Sequence, residues 1–285
     1  MKSRPIFALQ VTNRSDYELE RTVKAIEDAG GEWINFGVIP FTDEITNLDA
    51  FPTDRVVIPL AGTKVVYMYR RKKLPPNWKI YYEQRLFDQC YTRLGGIHTL
   101  MFNRNAKIFS FENCKDVRWN HDVFVKPSND LKVFAGAILP AGQSLNEMLE
   151  KITHQPIQRG EQIVHARVRL TGGEYRLFIV NDQIVDGSEY KRDGRVGHKA
   201  IDTQTAFDLD RFFQSMRYLT HGKYGHPPPL VYCMDVVEVH DNPNSRFEIM
   251  EFNCFHACGM YETDRTLVFS ELMAAIEGQQ VLRPL

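Results

Sequence analysis

Residues 230–253 read LVYCMDVVEVHDNPNSRFEIMEFN, two apolar runs joined by a polar segment centred on Pro243. Their length and alternation predict two antiparallel strands and a connecting turn. Asn253, two residues beyond Glu251, points to the same side of the sheet as Glu251. Symmetry about Pro243 predicts three cross-strand pairs, namely Val239 with Phe247, Val237 with Ile249, and Asp235 with Glu251. This face is therefore apolar near the turn and ends in two opposed carboxylates and an amide.

Two carboxylates that face each other destabilise a sheet, and burial increases the penalty. A positive group is therefore expected between Asp235 and Glu251. Together with Asn253 they offer three hard oxygen ligands, which suit Mg²⁺ or Mn²⁺. The alternative is that Arg or Lys side chains neutralise both carboxylates, or that one carboxylate is solvated.

Cationic side chains stand at the ends of two earlier strands. Residues 122–139 predict a hairpin with a polar tip, in which Lys126 ends the first strand and Lys132 begins the second. Two ammonium groups beside a turn can clamp a polyphosphate, whereas the alternative is a surface hairpin with solvated lysines. Arg176 begins an otherwise apolar strand, and an inward-facing guanidinium requires an anion, which either Glu174 or a phosphate supplies.

The rest of the chain predicts two architectures in succession. Strand, helix and strand alternate over roughly the first 75 residues, which indicates a small open α/β domain. From about residue 122 the pattern is mostly antiparallel strands with a few helices, which is α+β. Ser144-x-x-Glu147 is a capping box that predicts a helix to about residue 152.

Composition excludes several function classes. Lys and Arg number 35 against 36 Asp and Glu, a formal net charge of −1, which argues against a general nucleic-acid coat and a polybasic membrane binder. No apolar run approaches the roughly 20 residues that cross a bilayer, and the N-terminus does not resemble a signal peptide. Five cysteines in 285 residues are too few and too irregular for a disulfide framework, so a cytoplasmic location is predicted.

The motifs in their order resemble the ATP-grasp superfamily. They are Lys126-Pro127 after an apolar strand, Glu174-x-Arg176 before a hairpin, Asp235 in a late strand, and Glu251-x-Asn253. The set Lys126, Lys132 and Arg176, with Ser188-x-Tyr190 after the hairpin, is similar to the R2K clade, which is named for one arginine and two lysines. Many members of that clade come from phages or bacteria.

The resemblance covers residues from about 77 to the end, and it implies an ATP-grasp fold of two α+β lobes after a small α/β domain. The implied division is 1–76 for the N-terminal α/β domain, 77–165 for the small lobe with the Lys126/Lys132 hairpin, and 166–285 for the C-terminal lobe with the metal site. Because many relatives dimerise, a homodimer is left open.

The resemblance also implies cofactors and roles, with ATP and Mg²⁺ (or Mn²⁺) as the cofactors. Lys126 contacts the α- and β-phosphates, Lys132 closes over the phosphates, and Arg176 holds the γ-phosphate or an acyl-phosphate. Arg176 and Lys132 are thus the implied catalytic residues. The loop after Lys126, Ser128-Asn129-Asp130-Leu131, departs from the glycine-rich loop of many relatives. The adenine is implied to lie against Ala166, Arg167 and Val168, with Glu174 as a further ATP-binding residue, and the metal on Asp235, Glu251 and Asn253.

The implied activity is that of an ATP-dependent carboxylate–amine ligase that acts through an acyl-phosphate, with small-molecule, amino-acid, peptide or protein substrates. The alternatives are a non-catalytic ATP-binding scaffold, an enzyme that attaches an acid to a nucleic-acid base, and a kinase that stops at phosphoryl transfer. Near-neutral charge argues against nucleic acid, although the basic runs at residues 70–73 and 191–199 leave it open.

Two further segments carry candidate substrate contacts. The segment KRDGRVGHK, residues 191–199, is basic with two glycines and predicts a mobile loop. Its side chains Arg192, Arg195, His198 and Lys199 are candidates to bind an acidic substrate or to close over the site, and the alternative is a solvated loop. Residues 254–258, CFHAC, offer soft donors, but no fourth zinc ligand is evident, so His256 is expected to line the substrate site.

Overall fold

The computed structural model describes residues 4–11, 15–40, 42–89, 96–129, 133–152, 157–221 and 228–278. Lys132 lies outside these residues, so its predicted position beside Lys126 stays a prediction. The described elements change from an alternating α/β start to mostly antiparallel strands, which confirms the predicted fold class. Within the described residues, no helix is both long enough and apolar enough to cross a membrane.

The first sheet is a small α/β layer. It is built from β1 (Ile6–Gln10), α1 (Asp16–Asp28), β2 (Glu32–Val38), β3 (Ile45–Thr46), β4 (Val57–Leu60) and α2 (Thr63–Arg70). The strand order is β3-β2-β1-β4, with β1 parallel to both β2 and β4. Parallel neighbours need a crossover, and α1 supplies the one between β1 and β2. Ser15 caps α1, since its hydroxyl accepts a hydrogen bond from the Glu18 backbone N–H at 3.3 Å.

The second sheet belongs to a small lobe. Its elements, after a short linking helix α3 (Gln84–Phe87), are β5 (Lys107–Ser110), α4 (Phe111–Cys114), β6 (Val123–Pro127), β7 (Ala137–Leu139), α5 (Leu145–Ile152) and β8 (Gln162–Arg167). The order is β5-β8-β6-β7, and all pairs are antiparallel. The predicted hairpin is present, although its second strand begins only at Ala137. The predicted capping box also forms, because Ser144 Oγ accepts from Glu147 N at 3.3 Å and Glu147 Oε2 accepts from Ser144 N at 3.0 Å.

The third and largest sheet carries most of the predicted site. It contains β9 (Thr171–Val180), β10 (Gln183–Arg192), β11 (Arg195–Ala200), β12 (Val231–Val239) and β13 (Phe247–Asn253), with helices α6 (Thr203–His221) and α7 (Arg265–Glu277). The order is β11-β10-β9-β12-β13, and every pair is antiparallel. Asn181 and Asp182 connect β9 to β10 with φ of 47° and 61°, the backbone that a two-residue hairpin turn requires.

The prediction of a mobile loop at residues 191–199 was wrong. This segment is the tip of a hairpin in which β10 pairs with β11, with Lys191 opposite Val196 and Arg192 opposite Arg195. Asp193 and Gly194 form the turn with φ of 50° and 78°. Asp-Gly is a strong signal for a two-residue hairpin turn. The basic composition of the segment obscured that signal.

The N-terminal sheet and the largest sheet share their hydrophobic clusters, whereas the small lobe has a core of its own. Phe36 packs in one cluster with Tyr175, and Phe7 packs in another with Phe269 at a ring-centroid distance of 5.0 Å. The core of the small lobe contains Val125 and its neighbours. Burial of large apolar side chains is the main favourable contribution to packing. The first and third sheets therefore form one body, and the small lobe faces it across a cleft.

His256 lies at the contact between the N-terminal sheet and the largest sheet, so the expectation that it lines the substrate site was wrong. Its ring is 1% exposed; Nδ1 donates to Pro59 O at 2.6 Å, and Nε2 accepts from Tyr81 N at 2.8 Å. Burial lowers the pKa of His256 to about 4, so the ring is neutral at pH 7. Among the described residues no group of three or more His, Cys, Asp or Glu side chains is arranged to hold a metal.

His165 on β8 is buried in the small lobe without comparable bonds. Its ring is 6% exposed and packs against Trp119 and Phe109 at centroid distances of 4.5 and 5.3 Å. Neither ring nitrogen has a hydrogen-bond partner among the described residues, and burial lowers the pKa of His165 to about 4. A buried polar group without a partner destabilises the folded state.

We expect His165→Phe to raise the free energy of unfolding by about 1–3 kcal/mol at pH 7, because an apolar ring replaces an unsatisfied polar one. The difference should widen as the pH falls from 6.5 to about 4. In that window the unfolded wild-type chain binds a proton on His165 and the folded chain does not, so the wild type loses stability that the variant keeps. Urea denaturation at several pH values measures both effects. His256→Phe is the matched control and should destabilise, since it leaves Pro59 O and Tyr81 N unpaired; a stabilising control would contradict this reasoning.

Candidate active site

The end of the β12–β13 hairpin places two carboxylates opposite each other. Asp235 faces Glu251, as predicted, and Cys233 faces Asn253. Nearer the turn the register shifts by one residue between Asp235 and Val236. The predicted pairs Val237–Ile249 and Val239–Phe247 are therefore wrong; the observed pairs are Val236–Ile249, Val237–Glu248 and Glu238–Phe247. A bulge places one extra residue in β13, and no residue of the turn or the strands signals it in the sequence.

The bulged part of β13 carries a further carboxylate, Glu248, that sequence reasoning did not single out. Glu248 is 1% exposed, and two arginines compensate its charge. Arg104 Nη1 donates to Glu248 Oε1 at 2.6 Å, and Arg169 Nη1 donates to Glu248 Oε2 at 2.5 Å. Arg169 also lies over the Phe102 ring at 4.5 Å. This charge cluster ties the start of the small lobe to the largest sheet.

Arg176 on β9 is the partner of Asp235, its neighbour across the strands. Nε donates to Oδ1 at 2.8 Å and Nη2 donates to Oδ2 at 2.7 Å, a two-pronged contact between buried groups. Burial lowers the pKa of Arg176, but the charge and hydrogen bonds of Asp235 outweigh it and leave the pKa well above its ordinary value. The anion that Arg176 requires is thus Asp235, whereas Glu174 pairs with Lys191 at 2.7 Å.

Lys126 provides the corresponding cation for Glu251. Its Nζ donates to Glu251 Oε2 at 2.7 Å, and the two side chains are 12% and 23% exposed. Lys126 comes from β6 of the small lobe and Glu251 from β13, so this ion pair crosses the cleft. Asn253 Nδ2 lies between the two carboxylates, at 3.1 Å from Asp235 Oδ2 and 3.2 Å from Glu251 Oε1. The predicted site residues Lys126, Glu251, Asn253, Asp235 and Arg176 therefore form one continuous network.

Aromatic side chains cover the outer side of Arg176. The guanidinium carbon lies 5.0 Å from the centre of the Tyr261 ring and 5.8 Å from that of Tyr190. The two rings stack at 5.3 Å, and His198 lies 4.6 Å from Tyr261. Tyr261 has a φ of 47°, which is uncommon for a residue other than glycine and marks functional sites in many proteins. Sequence reasoning did not identify Tyr261, because no local signal predicts this backbone or its position.

A cavity of about 620 Å³ adjoins the network between the small lobe and the largest sheet. Two of its apolar side chains are well exposed, Leu170 at 86% and Ile138 at 53%. The predicted ATP-binding residues Arg167, Val168 and Glu174 line it, and Ala166 is buried beneath it with Ala106 and Val164. Apolar walls that also carry charged side chains suit a ligand that has a flat apolar part and an anionic part.

The four predicted substrate residues on the β10–β11 hairpin line a separate depression of about 660 Å³. Two of them are already paired with one carboxylate. Arg192 Nη2 donates to Glu189 Oε2 at 2.5 Å, and Lys199 Nζ lies 3.2 Å from Glu189 Oε1. Arg195 is exposed. His198 is the member that reaches towards the network, through its contact with Tyr261.

Among the described residues no cluster of three or more acidic, histidine or cysteine side chains stands ready for a metal. The site does offer two carboxylates and an amide, all of them hard donors that suit Mg²⁺. Both oxygens of Asp235 are held by Arg176, whereas Glu251 faces the cleft. Glu251 and Asn253 therefore fit a cation best, and Asp235 fits one only if Arg176 releases it.

Comparison with known proteins bears on the family and the fold of this chain. The family model described as ATP-grasp domain, R2K clade family 2, matches residues 102–270. No match to a curated protein was found.

Several solved structures share the fold. A RimK domain protein ATP-grasp from Sphaerobacter thermophilus DSM 20745 aligns with a TM-score of 0.56 at 12% identity, covering 94% of this chain and 99% of that one. A D-alanine–D-alanine ligase from Bacillus anthracis aligns with a TM-score of 0.57 at 12% identity, covering 97% and 99%. The macrocyclase MdnC from Microcystis aeruginosa MRC, bound with precursor peptide MdnA, aligns with a TM-score of 0.50 at 10% identity, covering 96% and 100%.

We expect Arg176→Met to lower the free energy of unfolding by about 3–5 kcal/mol, because it leaves the Asp235 carboxylate buried without its partner. Adding Asp235→Asn should recover most of the loss, since the uncompensated charge is then removed. Urea denaturation measures both. Arg246→Met is the control, because Arg246 is half-exposed and exposed ion pairs contribute less than about 1 kcal/mol. Equal losses in Arg176→Met and Arg246→Met would contradict the prediction.

Proposed function

Because this chain belongs to the R2K clade of the ATP-grasp proteins, we propose that it is an ATP-dependent ligase that joins a carboxylate to an amine through an acyl-phosphate. The observation that carries the proposal is the network that runs from Lys126 to Arg176 at the edge of an apolar cleft. Cations from both lobes converge there on two carboxylates. Phosphoryl transfer is promoted mainly by such positioned charges.

ATP would occupy the cleft between the small lobe and the largest sheet. The adenine would pack on the apolar walls beside Arg167 and Val168, which border the 620 Å³ cavity. Lys126 would exchange its bond to Glu251 for the α- and β-phosphates, a short movement because its side chain already reaches across the cleft. Lys132 would close over the phosphates, and Arg176 would meet the γ-phosphate or the acyl-phosphate.

Glu251 and Asn253 would hold Mg²⁺, with Asp235 joining them if Arg176 turns towards the phosphates. The metal would offset negative charge on the phosphate oxygens. Each charged group would keep a partner of opposite charge in this exchange. A phosphate would replace the carboxylate beside Lys126, and a cation would replace the ammonium beside Glu251. Arg176 is held by two hydrogen bonds to Asp235, so it retains its orientation until a stronger anion arrives.

The substrates would approach from the side of Tyr261 and His198, next to Arg176. Two of the structural relatives are a D-alanine–D-alanine ligase and a macrocyclase bound with a precursor peptide. We therefore propose an amino-acid or peptide carboxylate and an amine as the substrate class. Arg195 and His198 would bind an acidic group, because Arg192 and Lys199 are already paired with Glu189.

Calorimetry should show that ATP binds in the presence of Mg²⁺, and that Lys126→Ala and Glu251→Gln each weaken binding about 10- to 100-fold. Loss of one hydrogen bond to a charged group costs about 1.5–3 kcal/mol, which corresponds to that range. Lys151→Ala and Glu150→Gln are matched controls on the exposed side of α5 and should bind like the wild type. Undiminished binding by both site variants would place the nucleotide elsewhere.

Turnover distinguishes a ligase from the other classes. With ATP, Mg²⁺, a panel of amino-acid and peptide carboxylates, and hydroxylamine as the amine, we expect release of ADP together with a hydroxamate. The hydroxamate forms because hydroxylamine traps an acyl-phosphate. A stable phosphoester without hydroxamate would identify a kinase. ATP binding without ADP release across the panel would identify a scaffold, and Glu251→Gln should abolish ADP release in the ligase case.

A further inference from the structure

Two thiols lie against each other beneath the Arg176–Asp235 pair. Cys233 Sγ on β12 is 3.0 Å from Cys258 Sγ, and neither sulfur is in a disulfide. A disulfide requires about 2.05 Å between the sulfurs, so a shift of about 1 Å would join them. The other described cysteines, Cys114 and Cys254, form different contacts, to Phe111 O at 3.6 Å and Tyr81 O at 3.9 Å.

The two thiols differ in access. Cys233 is fully buried among the apolar side chains under β12, whereas Cys258 is half-exposed. Cys258 also precedes Gly259, whose carbonyl oxygen accepts a hydrogen bond from Arg176 Nη1, so the thiol lies close to a guanidinium. Partly exposed thiols near a cation react more readily than buried ones. An oxidant from solution therefore meets Cys258 first, and Cys233 is positioned as its second partner.

Cys258 belongs to the segment that contacts the Arg176 guanidinium through Gly259 and Tyr261. The next residue, Gly259, accepts a hydrogen bond from Arg176 Nη1 at 3.2 Å through its carbonyl oxygen. Tyr261 covers the guanidinium at 5.0 Å. Cys233 lies two residues from Asp235 on the same strand and the same face. A covalent bond between the two sulfurs would thus link β12, which carries Asp235, to the segment after Cys258, which contacts Arg176.

We propose that Cys233 and Cys258 form a reversible disulfide, which makes this pair an oxidation site that controls the position of Arg176. With hydrogen peroxide, the Cys258 sulfur attacks one peroxide oxygen and the O–O bond breaks, which gives a sulfenic acid and a hydroxide that takes the Cys258 thiol proton and leaves as water. The Cys233 sulfur then displaces hydroxide from the Cys258 sulfur, and the thiol proton leaves with it as water. Overall, two thiols lose two electrons, peroxide is reduced to two waters, and a dithiol reductant restores the pair.

The first test is chemical, and it does not depend on the proposed function. Treatment of the full chain with a small excess of hydrogen peroxide should lower the intact mass by about 2 Da and remove two of the five thiols, reversibly with dithiothreitol. Cleavage after Lys and Arg should then yield residues 224–246 and 247–265 as one linked peptide. Failure to form the bond, or a bond between other cysteines, would overturn the proposal.

Variants assign the bond to the correct sulfurs. The peptide 247–265 contains both Cys254 and Cys258, so Cys254→Ser is the decisive variant and should still form the bond. Cys258→Ser and Cys233→Ser should each abolish it, and Cys114→Ser should not affect it. If Cys233→Ser fails to fold, Cys258→Ser alone still tests the assignment, because its side chain is half-exposed.

The second test concerns the consequence for Arg176 and rests on the proposed function. Closing the gap draws Cys258 towards β12 and moves Gly259 and Tyr261 relative to the guanidinium. We expect the oxidised wild type to bind MgATP several-fold more weakly, with recovery on reduction and no change in peroxide-treated Cys258→Ser. A disulfide that forms without changing MgATP affinity would overturn its control of Arg176. Absence of MgATP binding in the reduced protein would instead count against the proposed function.

Discussion

The site depends on one electrostatic constraint, that two carboxylates lie directly opposite each other on neighbouring strands. Asp235 and Glu251 can occupy the β12–β13 pair only if cations compensate them. Arg176 comes from the adjacent strand, whereas Lys126 comes from another lobe. Apolar packing and hydrogen bonds such as that of His256 to Pro59 O join the first and third sheets, while the second sheet contributes a charge. The ion pair between Lys126 and Glu251 is thus a direct link across the cleft. Charge compensation at the site requires a cation from the small lobe and a cation from the largest sheet.

The two cations are not equally ready to change partners. Arg176 makes two hydrogen bonds to Asp235, a third contact to Gly259, and is covered by Tyr190 and Tyr261. A guanidinium held in this way is fixed in direction, because its planar donors match the carboxylate. Among the described residues Lys126 has one such bond, and it joins side chains that are partly exposed to the cleft. Separating Lys126 from Glu251 would therefore cost less free energy than separating Arg176 from Asp235.

The segment that follows β13 connects this chemistry to the rest of the body. His256 joins Pro59 of the N-terminal sheet to Tyr81 of the linking segment, and three residues later Gly259 contacts Arg176. The segment is short, and Cys258 directly precedes the residue that accepts a hydrogen bond from Arg176. His256 is neutral and fully bonded, which suits a structural tie and not a proton carrier. The N-terminal sheet therefore supports the site through this segment.

The sequence by itself determined the fold class, the Asp235–Glu251 pair and the capping box at Ser144, because each depends on alternation or spacing within a short stretch. The prediction that Arg176 begins a strand was wrong, since Arg176 lies in the middle of β9. The sequence also marked the Asp193-Gly194 turn, although the basic composition around it favoured a loop. Only the tertiary structure decided which side chains form ion pairs. Lys126 and Glu251 are far apart in sequence and are brought together by the packing of the small lobe against the largest sheet. The bulge in β13, the burial of His256 and the place of Tyr261 over Arg176 were likewise decided there. Each arises where elements that are distant in sequence pack together, and a local sequence pattern does not predict such contacts.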